Sequence, residues 1–198
     1  SSPARNSNES GRAGSAQNQT LARHLHRLGQ AHQVQDHQAR LSKINAKEIS
    51  LQLALDPATL LHRAVAPSQP FPEFLSWAAQ LKGAEFQAIF SKMQKSMAKG
   101  IRLVGPDGSA LVLNGWEWPT AQQWQDRLKA EVILSQVSTQ DDAHLPQVKV
   151  AFTAKSARPV SHLQVRFPDF TWPILVVSEP SDKFWLNEQM PVAVVQLF

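Results

Sequence analysis

The chain has 198 residues, a formal net charge of +4 and no cysteine. That length suits one domain of ordinary size with about fifty residues to spare. The missing cysteine excludes disulfides, thiolate metal sites and cysteine nucleophiles. No run approaches the ~18 apolar residues of a membrane helix, Ile174-Leu-Val-Val177 being among the longest, so no transmembrane segment is expected.

Charge and aromatic residues are divided unequally. Residues 1–50 hold seven Lys/Arg, three acids and four of the seven histidines, while from residue 51 onward thirteen basic residues balance thirteen acids. All six Trp and nine Phe lie between Phe71 and Phe198. The pattern reads as a basic arm without aromatics, followed by a neutral body able to build a core.

Residues 1–19 contain no large apolar side chain. Such a segment cannot offset its own ordering entropy and is expected to be a disordered polar, basic leader. The first residues also lack the apolar core of a signal peptide. The compartment stays open: the cytoplasm is favoured, and the periplasm applies if a membrane anchor was trimmed.

Residues 20–50 read as an amphipathic helical arm. Thr20 suits an N-cap. Leu21, Leu25 and Leu28 form one stripe, and Val34, Leu41 and Ile44 continue it on a shifted phase. Asp36 four residues before Arg40 adds a helix pair. The phase break argues against a regular coiled coil and for docking on the body or a neighbour.

The body, residues 51–198, is expected to be a single α+β domain. Asp56-Pro57 starts a short helix reaching about Val65, with Asp as cap and Pro at the first helical position. The prolines of Ala66–Pro72 forbid a continuous helix. A long helix follows, with Phe74, Trp77, Ala78, Leu81, Ala84, Ile89, Phe90, Met93 and Met97 mostly at three- and four-residue steps, and Gly100 stops it. Ile101–Val104 and Ala110–Asn114 flank Gly105-Pro-Asp-Gly108 and predict a β-hairpin. Thr120-Ala-Gln-Gln123 resembles a capping box, opening a helix that buries Trp124, Leu128 and Val132. After the polar loop 138–142, alternation predicts strands around Val148–Phe152 and Leu163–Phe167, with Ile174–Val177 and Val192–Phe198 as the last two. The order implies N-terminal helices, then a mainly antiparallel sheet with one inserted helix.

The chemistry-bearing residues form no convincing catalytic set. Gly105-Pro-Asp-Gly-Ser109 lacks the lysine and following helix of a phosphate loop. Ser109 does not sit in a Gly-x-Ser-x-Gly elbow. His24/His26 and His32/His37 have the wrong steps to share a helix face, and the single His32/Asp36 pair does not hold a metal. Asp141, Asp142 and His144 read as solvated loop residues. In an extended segment Trp116 and Trp118 share one face and Glu117 takes the other, which makes a platform or core edge. No catalytic residue, cofactor or metal is expected.

Two partner classes remain. The first is protein, including a second copy of the chain. Its anchors would be the docking stripe Leu21, Leu25, Leu28, Val34, Leu41 and Ile44, with the aromatics Trp116, Trp118, Phe184 and Trp185. The chain then acts as a non-enzymatic interaction subunit of a larger assembly, a variant being the soluble domain of a membrane-anchored secretion or pilus-type assembly. The second class is nucleic acid, met by Arg5, Arg12, Arg23, Arg27, Arg40, Lys43 and Lys47 on the arm. Charges spaced one in seven residues dilute that reading.

Overall fold

The computed structural model describes residues 36–137, 145–179 and 182–197. The first described element is a hairpin, β1 (His37–Asn45) and β2 (Glu48–Leu55), paired antiparallel. This corrects the helical arm from residue 37 onward. Period two wins over period three because Ala39 and Leu41 on β1, and Ile49, Leu51, Leu53 and Leu55 on β2, all turn to the core. The turn between them is set by Asn45, whose Oδ1 accepts the Lys47 amide at 2.9 Å. Leu41 is therefore a core residue, whereas Ile44, near the hairpin tip, is exposed. The Asp36–Arg40 helix pair does not form: Arg40 Nη1 instead donates to Glu179 Oε1 at 3.0 Å.

Four helices and a short turn follow the hairpin among the remaining strands. Helix α1 (Pro57–Val65) starts as expected, with Asp56 Oδ1 accepting the Thr59 amide and Pro57 in the first turn. The expected long helix is two, α2 (Phe71–Gln80) and α3 (Gly83–Gly100). Leu81 and Lys82 between them are extended. The break is satisfied from outside: Gln125, on α4 (Ala121–Val137), donates from Nε2 to the carbonyls of Ala78, Ala79 and Leu81 at 3.2, 3.4 and 2.8 Å. Helix α4 has its capping box, with Gln123 N to Thr120 Oγ1 at 3.1 Å and Thr120 N to Gln123 Oε1 at 2.8 Å. It buries Trp124 and Leu128, while Val132 is half-buried.

The other strands are β3 (Arg102–Val104), β4 (Val112–Glu117), β5 (Val148–Lys155), β6 (His162–Arg166), β7 (Ile174–Ser178), β8 (Asp182–Leu186) and β9 (Ala193–Gln196), with a 3₁₀ turn at Asp169–Thr171. They form a six-stranded sheet in the order β4-β5-β2-β1-β7-β8 and a three-stranded sheet in the order β3-β6-β9. Every neighbouring pair is antiparallel except β1 with β7. The α+β class is thus observed. Strand β8, holding Phe184 and Trp185, lies between the last two expected strands and was not itself among those expected. The expected 101–114 hairpin keeps its turn, with Gly108 at φ +80°, and a single bridge between Val104 and Ala110. Its arms then part, β3 pairing with β6 and β4 with β5.

One core joins the helices to the inner faces of both sheets, with Phe74, Phe86, Trp124, Phe152 and Phe167 among its largest buried side chains. Because β1 lies inside the six-stranded sheet, the folded body includes residues 37–50 and does not start at residue 51.

Candidate interaction surfaces

The outer face of the six-stranded sheet is built by the alternate residues of each strand. Register places Lys149, Ala54, Gln38, Leu175 and Trp185 in one row across β5, β2, β1, β7 and β8. The next row runs Glu117, Ala151, Gln52, Arg40, Val177 and Lys183. The β7–β8 end thus holds Leu175, Val177 and Trp185, while Gln38, Gln52 and Arg40 make the middle polar. Trp185 is 42 % exposed, while Phe184, on the opposite face of β8, packs partly against the core.

The other two aromatic anchors are set by a bulge. Asn114 opposes Thr153 and Glu117 opposes Ala151, so three residues of β4 span two of β5. Gly115 takes the extra position at φ +64°. The bulge turns Trp116 inward, onto Phe152 at 4.1 Å between ring centroids, and leaves Glu117 on the outer face. Trp118 stacks on Trp116 at 5.7 Å and meets Phe90 edge-on. Both tryptophans are half-buried, so the pair forms a core edge instead of a free platform. Exposed apolar side chains that pattern reading had not singled out include Val112, Ile133, Val137 and Val194. Position on solvent-facing stripes, not residue type, marks them.

Of the arm's candidate residues, Leu21, Leu25, Leu28, Val34, Arg5, Arg12, Arg23 and Arg27 lie outside the described residues. So do Asp141, Asp142 and His144. Lys43 and Lys47 are exposed around the β1–β2 turn, and Arg40 sits on the outer face, so these three cations do not form a helical stripe.

Two of the open concavities have carboxylates in their lining. One, of about 520 Å³, is lined by Gln52, Glu117, Trp118, Gln123 and Lys149. The other, of about 650 Å³, is lined by Arg63, Asp169, Phe170, Trp172 and Glu188. Neither pairs a nucleophile with a base. Ser109 lies in an exposed turn, where its amide and hydroxyl both donate to Asp107 Oδ1, at 3.1 and 2.6 Å. Those two bonds hold the Asp107 carboxyl below its ordinary value. Among the described residues no three His, Cys, Asp or Glu side chains gather as metal ligands, and no helix is long and apolar enough to cross a membrane.

The most perturbed histidine is structural in setting. His37 is buried at the start of β1, with Nδ1 2.8 Å from the Thr171 carbonyl and Nε2 without a hydrogen-bond partner. Burial pushes its pKa down, against the Thr171 carbonyl and the Asp56 carboxylate, which favour the charged ring. Nearby, Arg63 Nη1 donates to the Trp172 carbonyl at 2.7 Å, so β1 and α1 both hold the segment leading into β7. Comparison of the chain with protein-family models, curated proteins and solved structures gives no match.

Proposed function

We propose that the protein is a non-enzymatic interaction subunit of a larger protein assembly, docking through the outer face of its six-stranded sheet and through its N-terminal arm. The observation that carries this reading is Trp185, 42 % exposed on an edge strand beside half-buried Leu175, at the apolar end of the sheet's outer face. A half-exposed tryptophan next to aliphatic neighbours is the side-chain type that dominates protein interfaces. The shallow concavities, with few convergent polar groups, support binding over catalysis. Leu21, Leu25 and Leu28 supply a second apolar contact on the arm.

The test compares the full chain with Trp185→Glu and with a Leu21→Glu/Leu25→Glu/Leu28→Glu variant. Oligomeric state is read by light scattering, and partner capture is quantified after cross-linking in extracts of the native cells. Each substitution should lower self-association or the yield of a discrete cross-linked partner. If both variants behave as the parent does in both measurements, neither surface has an assembly role.

A further inference from the structure

The body is electrically neutral along its sequence, but folding does not distribute its charges evenly. Segments 86–106, 157–168 and 189–197, which supply most of α3 and all of the three-stranded sheet, carry six Lys/Arg and no acid. On α3, Lys92, Lys95 and Lys99 recur at steps of three and four and are exposed, opposite the buried stripe of Phe86, Phe90, Met93 and Met97. Helix α3 ends against the segment that follows β6: a Cβ built on Gly100 would lie 2.6 Å from Cβ of Pro168. At that junction Arg102 of β3 stands directly opposite Arg166 of β6, both exposed. Like charges placed directly across a strand pair repel one another. None of the five cations is in an ion pair among the described residues. The nearest acids along the chain are Glu85, Asp107 and Asp169; Asp169 follows Pro168 and so lies beside the end of α3, without an ion pair to these cations among the described residues.

We propose that Lys92, Lys95, Lys99, Arg102 and Arg166 form a docking ridge for the phosphate backbone of a nucleic acid, bound without sequence preference. The lysines span about 10 Å of helix, and Arg102, three residues beyond Lys99, can stand at most about 10 Å farther along the chain, with Arg166 beside it. The neighbouring side chains select among polyanions. Ser91, Ser96 and Gln164 are neutral hydrogen-bonding groups suited to phosphate oxygens. A bilayer-binding helix needs its apolar face free for insertion, and the apolar face of α3 is in the core. A protein interface would want aromatic anchors, and these strands and this stripe of α3 expose none. The ridge is distinct from the arm and from Trp185.

The experiment is fluorescence polarisation of the full chain with a short DNA duplex of mixed sequence, titrated at several salt concentrations. Five phosphate contacts predict a slope of log K against log salt of about −4 to −5. Lys99→Gln/Arg102→Gln/Arg166→Gln should shrink that slope by nearly three and weaken low-salt binding by about tenfold or more. Lys92→Gln/Lys95→Gln, confined to the solvent side of α3, should remove about two. Unchanged far-UV circular dichroism and urea midpoints show that both variants fold. The proposal is overturned if the duplex does not bind at low salt, or if the two variants keep the parental slope. It is equally overturned if binding disappears in Arg23→Ala/Arg27→Ala but not in the ridge variants, or if phosphatidylserine vesicles are bound through the ridge and the duplex is not.

Discussion

Two single positions carry local commitments that can be measured. Burial of His37 disfavours its charged form; its Nδ1–H donates to the Thr171 carbonyl, and Asp56, Arg63 and Asp36 are the charged groups acting on it. The unfolded chain takes up a proton at His37 near the ordinary value of 6.5, whereas the folded chain does so only at lower pH. Stability is therefore full above that value and is lost as pH falls from it toward the folded pKa. His37→Asn keeps a donor for Thr171 but cannot titrate, so its urea midpoint should fall less than the parent's between neutral and mildly acidic buffer. Parallel curves for the two proteins would exclude His37 as the source. Gly115 is the second position. Its φ of +64° costs an alanine about 1–2 kcal/mol, and the added Cβ would meet Thr153 Oγ1 at 3.4 Å. Gly115→Ala should lower stability by about that amount and red-shift tryptophan emission, because Trp116 loses the bulge that turns it onto Phe152. A variant with parental stability and emission would show that the bulge is not needed.

Elements with local start signals were legible in the sequence, and those decided by distant partners were not. Asp56-Pro57 and Thr120–Gln123 carry their caps within four residues, so α1 and α4 begin where expected. The split between α2 and α3 has no comparable local signature. Gln125, more than forty residues away, takes up carbonyls at the end of α2. Gln125→Leu preserves bulk but removes the side-chain donor to the Ala79 and Leu81 carbonyls, and should cost about 1–3 kcal/mol in urea unfolding. Thr120→Ala, at an exposed cap of the same helix, should cost only about 1 kcal/mol. If the two losses are equal, the cross-helix amide contributes no more than an ordinary cap. The hairpin at 37–55 was missed for a different reason. Leu41 and Ile44 also fit a helical step, and only pairing on both sides of β1 makes period two decisive.

For the molecule as a whole, the position of β1 defines what can be removed. It is hydrogen-bonded to β2 on one side and β7 on the other, so it joins the two halves of the six-stranded sheet. A chain starting at Asp36 should keep a cooperative urea transition and dispersed amide resonances. One starting after residue 48 should lose both, since β2 and β7 would each be left with an unpaired edge inside the sheet. A folded product from the longer deletion would contradict this topology. For the same reason the arm's part in assembly has to be tested with substitutions or with a cut before Asp36.

The sequence by itself determined the α+β class, the caps of α1 and α4, the absence of thiol chemistry and the neutral charge balance of the body. Each depends on composition or on residues within a few positions of one another. Tertiary structure alone decided that residues 37–50 belong to the sheet and that the 101–114 strands part into different sheets. It also decided that Trp116 and Trp118 are a core edge while Trp185 stays exposed. It likewise placed Arg102 directly opposite Arg166. Strand partners, burial and charge clustering depend on contacts between residues far apart in the chain, and local periodicity does not specify them.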